Sequence, residues 1–148
     1  LGVSFAPGWK VSRRNIDFNG TTFWNMDGYC SVDLDGDAAG AIVTSAFATQ
    51  SGTNYIVAFL LSGNGGDGKG DPPAVKTMEL RTGKQFTTFQ WNTSNDTDVE
   101  HGKYAPETWQ FTATGPFTIL HFRSEDPKPS SRGAVVATIS VTVAHGNR

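Results

Sequence analysis

The sequence predicts an all-β fold of two packed antiparallel sheets, and three observations support this prediction. Several segments alternate apolar and polar residues with the period of two expected of a half-buried strand. The clearest is 108–114, where Trp109, Phe111 and Ala113 share one face. The 17 glycines and 7 prolines are spread along the chain as turn signals. The alanine-rich segment that comes nearest to a helix is interrupted by Gly40.

The predicted strands are 10–18, 30–35, 41–48, 53–62, 74–81, 85–91, 107–114, 116–123 and 133–144. The segments between them are too short for the helical crossovers that a parallel sheet requires, so the arrangement predicted is an antiparallel sandwich of the jelly-roll type. Tyr55 to Leu61 is apolar on both faces and is predicted to be a central strand covered on two sides. In the last strand Val135, Ala137, Ile139, Val141 and Val143 are predicted to share a face. The predicted core includes Phe59, Leu61, Trp109, Phe111, Leu120, Phe122, Ile139 and Val141.

Length and charge limit the possible classes of protein. A chain of 148 residues predicts one domain spanning 1–148. A charged fraction of 18% and a net charge of −2 argue against disorder and against nucleic acid as a partner. The single cysteine, Cys30, cannot form a disulfide within the chain, and no apolar run reaches the roughly 20 residues of a membrane span.

The N-terminal sequence favours a processed or excised chain, because it begins with Leu1 rather than Met. No basic, apolar leader is present, so a signal peptide is predicted to be either absent or already removed. Residues 1–6 are predicted to form an arm that is either exchanged between chains or disordered.

Catalysis is not predicted. None of His101, His121 and His145 accompanies a nucleophile-elbow motif, and His121 falls inside a predicted strand, where a structural role is expected. A glycosidase needs two facing carboxyl groups, and the acidic residues here lie mostly in predicted loops.

Asp33, Asp35 and Asp37 occupy alternate positions, so their carboxylates could converge on Ca²⁺. The segment is not an EF-hand, because Ala38 replaces the required glycine. The alternative interpretation is a turn at 35–37, with Asp33 hydrogen-bonded at a strand edge.

Aromatic side chains near polar loops predict a glycan site. Sugar rings present C–H faces that pack on aromatic rings, while amide and carboxylate groups bind the hydroxyls. The predicted glycan-binding residues are Trp24, Tyr29, Asn64, Asp67, Trp91, Asn92 and Tyr104. Packing in the interior is the alternative for Trp24 and Trp91. Three sequons, at Asn19, Asn92 and Asn95, predict glycosylation of an exported chain.

The order of motifs along residues 7–143 resembles the exported bacterial "choice-of-anchor C" proteins and related plant cell-wall proteins, which have galactose-binding-like jelly rolls. The motifs are Pro7-Gly8-Trp9-Lys10-Val11, Ile16-Asp17-Phe18, Asp27-Gly28, Ser31-Val32-Asp33-Leu34-Asp35-Gly36, Tyr55-Ile56-Val57-Ala58-Phe59, Trp109-Gln110-Phe111-Thr112-Ala113-Thr114 and Thr118-Ile119-Leu120-His121-Phe122. The resemblance implies a secreted, non-catalytic domain associated with wall or surface polysaccharide. The family's opening Asn-Gly-x-Phe-Glu strand has no counterpart ahead of Leu1, and no acidic residue follows Gly133 as in the family.

Two functions therefore remain open. The first is a non-catalytic, extracellular carbohydrate-binding or cell-wall-associated module. The second is a structural subunit of an extracellular filament or surface layer, in which copies of the chain exchange a strand to fill the place of the missing one.

Overall fold

The computed structural model describes residues 4–20, 30–66, 72–95, 103–127 and 131–145. Within them the chain forms no α-helix, only a short 3₁₀ turn at Thr93–Asn95. The strands are β1 (Ser4–Ala6), β2 (Trp9–Arg13), β3 (Asp17–Asn19), β4 (Ser31–Asp33), β5 (Ala41–Thr44), β6 (Phe47–Ala48), β7 (Asn54–Gly63), β8 (Val75–Thr82), β9 (Gln85–Asn92), β10 (Ala105–Thr112), β11 (Phe117–Thr118), β12 (His121–Ser124) and β13 (Ala134–Val143). Across these ranges no helix has the length and apolar character needed to cross a membrane.

Two antiparallel sheets make up the sandwich, as the sequence predicts. Sheet A has six strands in the order β1-β2-β5-β12-β8-β9, and sheet B has five in the order β10-β7-β13-β4-β3. The small pair β11-β6 forms a third sheet. Strands that are distant in the chain are neighbours in both sheets, and the pattern confirms the predicted jelly roll.

The core lies between the two sheets and is rich in aromatic rings. Phe59 packs edge-on against Phe122, with ring centroids 5.6 Å apart, and also against Phe89 at 5.1 Å. Phe122 in turn meets Trp9. Of the predicted core residues, Phe59, Leu61, Phe111, Leu120 and Phe122 are buried, while Trp109, Ile139 and Val141 are partly buried and pack against the cluster.

The predicted strands have the right positions, but three of them are interrupted. The segment 10–18 divides into β2 and β3 at Arg14, which has a φ of +49°. The segments 41–48 and 116–123 each divide into two strands. Ser4–Ala6 forms a strand that was not predicted, and it pairs with β2 of the same chain at the edge of sheet A.

The predicted face of the last strand is wrong in its first half. Val136 pairs with the inward-facing Leu61, and Val141 pairs with the inward-facing Val57. Positions 136 and 141 differ by an odd number, so a bulge between Ala137 and Ser140 must reverse the alternation. Thr138 in this bulge has a φ of +50°. Ala134 and Val136, rather than Val135 and Ala137, therefore contribute to the core cluster.

The central position predicted for residues 55–61 is confirmed, because β7 lies between β10 and β13. Cover on its second face is incomplete. Val57, Phe59 and Leu61 are buried against the core, whereas Ile56, Ala58 and Leu60 are only half-buried.

Candidate functional site

The outer surface of sheet A carries a two-row array of side chains, here called the open face. Strand register fixes both rows, because directly paired residues in adjacent strands point to the same side. The first row is Phe86, Arg81, His121, Val43 and Lys10. The second row is Thr88, Glu79, Arg123, Ala41 and Arg13, each two residues from its neighbour in the first row except Arg13, which is three from Lys10 because β2 has a bulge after Val11.

Phe86 is the aromatic residue of this face and is 56% exposed. The guanidinium carbon of Arg81 lies 4.6 Å from the centre of its ring, a cation–π contact. Arg81 is itself fixed by Glu79: Nε donates to Oε1 at 2.7 Å and Nη2 donates to Oε2 at 3.2 Å. The Glu79 side chain is only 8% exposed, so the carboxylate anchors the guanidinium from below.

A hollow of about 320 Å³ lies beside this pair. Its lining residues are Ser12, Arg13, Ala41, Glu79, Arg81, His121 and Arg123. Arg123 approaches Glu79 at 3.5 Å and also donates from Nε to Glu125. Arg13 donates hydrogen bonds to the carbonyl oxygens of Gly40 and Ser124. These bonds hold its guanidinium against the start of β5 and the end of β12.

Burial and neighbouring charges shift the pKa values of the groups around the hollow. Burial lowers the pKa of Arg13, and nearby Arg123 lowers it further. Burial, then Arg81 and Arg123, lowers the pKa of His121, which favours the neutral imidazole. The pKa of Glu79 is lowered chiefly by its hydrogen bonds with Arg81, so this carboxylate stays ionised.

A second hollow of about 550 Å³, here called the end hollow, lies where the β8–β9 turn meets the chain after β10. Phe117 on its rim is 68% exposed and Ile119 is 42% exposed. Gln85 closes the gap between the sheets by bonding both the amide and the carbonyl group of Thr112. His121 lines this hollow as well as the arginine-lined one.

Of the residues predicted from sequence to bind glycan, those that the structure describes lie mostly elsewhere. Trp24, Tyr29 and Asp67 are outside the described residues. Trp91 points inward from β9 and packs against the core, which fits the packing alternative for this residue. Asn92 is exposed on the same side of β9 as Phe86, and its Oδ1 accepts a hydrogen bond from the amide of Ser94.

Asn64 and Tyr104 both lie near Asp33 at the far end of sheet B. Asn64 Nδ2 donates to Asp33 Oδ2 at 2.8 Å, and Asn64 Oδ1 accepts from the amide of Gly66. Burial raises the pKa of Tyr104, while a hydrogen bond with Ser31 lowers it. Both side chains therefore have structural contacts in this position.

Asp33 has the environment described by the alternative interpretation of the acidic triplet. Its Oδ1 accepts hydrogen bonds from the amides of Asp35 and Gly133, each at 2.9 Å, and Asn64 satisfies Oδ2. Burial nevertheless raises its pKa to about 7, despite those three bonds. Asp33 thus connects the end of β4 to the start of β13.

The other two aspartates of the triplet point to different surroundings. Asp35 is fully buried, and its carboxyl group faces that of Asp126, whose pKa is raised to about 6, first by burial. Asp37 is exposed and bonds Asn15 in both directions. Throughout the described ranges, no three histidine, cysteine or acidic side chains are grouped to hold a metal ion, and the triplet does not fit the predicted Ca²⁺ site.

The sequons have contrasting environments. Asn19 Nδ2 donates to Ser31 Oγ and is half-buried, whereas Asn92 is exposed on β9. The backbone of Asn95 lies in the 3₁₀ turn. Glycosylation at these three positions stays a prediction.

Sequence reasoning missed the open face, although the sequence contains the signal for it. In Gln85–Asn92, Phe89 and Trp91 occupy odd positions and Phe86 an even one, so a strand that buries the first two must expose the third. Arg81 and Glu79 share a face of β8 for the same reason. What the sequence does not show is that β8 pairs with both β12 and β9. This pairing places Arg123 on one side of Glu79 and Arg81, and Phe86 on the other.

Comparison with known proteins gives a clear result for the fold. The structure is similar to the CBM22-1 xylan-binding domain of Paenibacillus barcinonensis Xyn10C, with a TM-score of 0.63 and 10% identity over 99% of this chain and 92% of that one. It is also similar to the C-terminal CBM6 of LamC from Zobellia galactanivorans, with a TM-score of 0.59 and 9% identity over 88% and 93%. For CBM35 of Cellvibrio japonicus Abf62, the TM-score is 0.56, with 18% identity over 95% and 93%.

Sequence comparison is less informative. No protein-family model matches the chain. Halomucin of Haloquadratum walsbyi is 23% identical over 134 residues, which is 90% of this chain but 1% of that protein. The chain therefore spans a very small part of the curated relative that it matches. The jelly roll of carbohydrate-binding modules is the fold of this protein, and its function has to be argued from its own surface.

Proposed function

We propose that the protein is a non-catalytic, extracellular carbohydrate-binding module whose glycan lies on the open face. The observation on which this rests is the exposed ring of Phe86, fixed beside a polar hollow by Arg81 and Glu79. The similarity of the fold to carbohydrate-binding modules supports the same function.

The arrangement suits a sugar for two physical reasons. A pyranose ring has an apolar C–H face that packs on an aromatic ring, and Phe86 offers such a surface in water. The hydroxyl groups of the sugar need donors and acceptors held at fixed positions. Arg81 and His121 are directly paired, and Glu79 lies two residues from Arg81 on the same face of β8. Because Glu79 already holds Arg81, little side-chain freedom is lost when a ligand binds.

The filament alternative has less support. It was suggested by a jelly roll that lacks one strand, because a second copy of the chain could supply that strand. Ser4–Ala6 instead pairs with β2 of its own chain. Glycan binding alone would attach the protein to an extracellular surface, without strand exchange between copies of the chain.

The proposal is tested by retention on insoluble and immobilised polysaccharides. The panel should include xylan, β-glucan, cellulose and polygalacturonate, with Phe86→Ala compared with the parent protein. Phe18→Ala is the control, because Phe18 is a comparably exposed phenylalanine (50%) on β3 of sheet B. We expect binding to at least one polysaccharide, abolished in Phe86→Ala and retained in Phe18→Ala. Failure of the parent protein to bind any of them, or equal binding by both variants, would contradict the proposal.

A further inference from the structure

The open face has a charge opposite in sign to that of the whole chain. Its cationic side chains are Lys10, Arg13, Arg81 and Arg123, and its carboxylates are Glu79 and, at the margin, Glu125. The face thus has a net charge of +2, by four cations against two anions, whereas the chain as a whole has −2. The basic groups are therefore concentrated on one surface.

The internal ion pairs leave much of this positive charge available to a ligand. Glu79 uses both of its oxygens on Arg81, and its distance to Arg123 is longer, 3.5 Å. Arg123 binds Glu125 through Nε and places Nη2 near Glu79, so among the described residues Nη1 is the nitrogen left for a ligand. The Arg123 side chain is 40% exposed, so a ligand can reach it.

Arg13 and Arg123 line the same hollow, and both pair with Ala41 in the second row of the open face. After burial, Arg123 lowers the pKa of Arg13, although Glu125 and Asp35 oppose this effect, and Arg81 and Arg123 lower the pKa of His121 after burial. Like charges held together repel one another, and an anion between them would relieve this repulsion. A neutral sugar would leave it unrelieved.

We infer that the hollow lined by Arg13, Arg81 and Arg123 binds the acidic group of an anionic glycan, either a uronate carboxylate or a sulfate ester, next to a sugar ring packed on Phe86. A guanidinium binds both groups through paired, charge-assisted hydrogen bonds. This inference rests on the proposed function and specifies the class of glycan. A hollow of about 320 Å³ has room for one such group and part of its ring.

The test compares acidic and neutral polymers of matched backbone. Polygalacturonate is compared with fully methyl-esterified pectin, and dextran sulfate with dextran, by affinity electrophoresis at 50 and 500 mM NaCl. We expect binding to polygalacturonate or dextran sulfate to exceed binding to its neutral partner by at least about tenfold, and to weaken at the higher salt. Preference for polygalacturonate would identify a uronate carboxylate as the bound acidic group, and preference for dextran sulfate would identify a sulfate ester.

Arg123→Gln is the deciding variant, because it leaves the Glu79–Arg81 pair intact. We expect it to lose about tenfold in affinity for the acidic polymer. Lys103→Gln removes the same charge from an exposed position outside the open face and should retain parental affinity. Arg123→Lys keeps the charge without the planar fork and should fall between the two. Thermal unfolding of each variant confirms that it is folded.

The outcomes separate this inference from the proposed function. Equal binding of acidic and neutral polymers, or full affinity in Arg123→Gln, would overturn the anionic specificity while leaving glycan binding in place. Absence of binding to every polymer would overturn both.

Discussion

Arg81 lies over the ring of Phe86 while two of its N–H groups, on Nε and Nη2, donate to the two oxygens of Glu79. A nearly buried carboxylate on β8 thus determines the position of an exposed aromatic neighbour on β9. The stability of the sheet and the shape of the open face are coupled through this one guanidinium.

Glu79→Gln is expected to lower Tm by about 2–4 °C, which in a chain of this size corresponds to ~1 kcal/mol. The amide cannot replace the charged, two-oxygen acceptor, so Arg81 loses its anchor above the sheet. The measurement is thermal unfolding at pH 7. Glu125→Gln is the control: it breaks a more exposed pair with Arg123 and should change Tm less. An equal or larger effect of Glu125→Gln would contradict the role given to Glu79.

Phe111→Ala is expected to cost about 3–5 kcal/mol of the free energy of unfolding, because Phe111 is 1% exposed and its removal leaves a cavity. Its ring stacks on Tyr55 at a centroid distance of 5.6 Å, which adds to the loss. Urea denaturation measures the difference. Phe117→Ala removes an exposed ring from the end hollow and should stay within about 0.5 kcal/mol of the parent. Comparable losses in the two variants would contradict the assigned core.

Stability is expected to decrease as the pH rises from 5 to 8. Burial raises the pKa of Asp33 to about 7 and that of Asp126 to about 6, whereas the unfolded values are 3.8. Between these limits the folded chain keeps protons that the unfolded chain has released, so rising pH favours unfolding. His121, with its lowered pKa, has the opposite but smaller influence near pH 6. Thermal unfolding across this range should show Tm higher at pH 5.

Asp126→Asn isolates one part of this dependence. The side-chain oxygen of the asparagine can still accept a hydrogen bond from the backbone N–H of Thr77. Its NH₂ group can donate to Asp35, whereas the Asp126 carboxyl group can donate only when it is protonated. We expect a higher Tm at pH 8 and a shallower decline between pH 5 and 8. A steeper decline in the variant would contradict the assignment.

Thr138→Asn is expected to raise stability by roughly 0.5–1 kcal/mol. Thr138 is exposed and has a φ of +50°, a conformation that β-branched residues tolerate poorly and asparagine tolerates well. Ser140→Asn, in the regular part of the strand beyond the bulge, is the control and should lower stability slightly. Denaturant unfolding compares the two. A decrease in Thr138→Asn would argue against strain at the bulge.

The same bulge shows where prediction from sequence reaches its limit. The alternation of apolar and polar residues located the strands and most core residues, because the buried face of a strand consists of apolar residues. It failed from Val135 to Ala137, because one extra residue reverses the faces and no residue near Thr138 carries a turn signal. The acidic triplet failed for a related reason: alternation assumes that the strand continues, yet β4 ends at Asp33 and the chain turns.

The candidate site was harder to predict than the fold. Aromatic residues beside polar loops were the sequence criterion, and this criterion selected Trp91, which faces the core. Phe86 stands between a turn and a threonine-rich strand and resembles any half-buried residue in sequence. Phe86 belongs to a candidate site only because Arg81, Glu79 and Arg123 are its neighbours on the sheet. Strand pairing between distant segments brings them together.

Chemical-shift mapping by NMR tests glycan binding at the open face most directly. ¹⁵N-labelled protein is titrated with an oligogalacturonate and, in a separate sample, with a xylo-oligosaccharide. We expect progressive shifts concentrated in the amides of 79–88 and 121–125, the segments that carry Phe86, Arg81 and Arg123. Shifts centred instead on Asn64 and Tyr104 at the far end of sheet B, or on Phe117 in the end hollow, or no shifts with either sugar, would contradict the account.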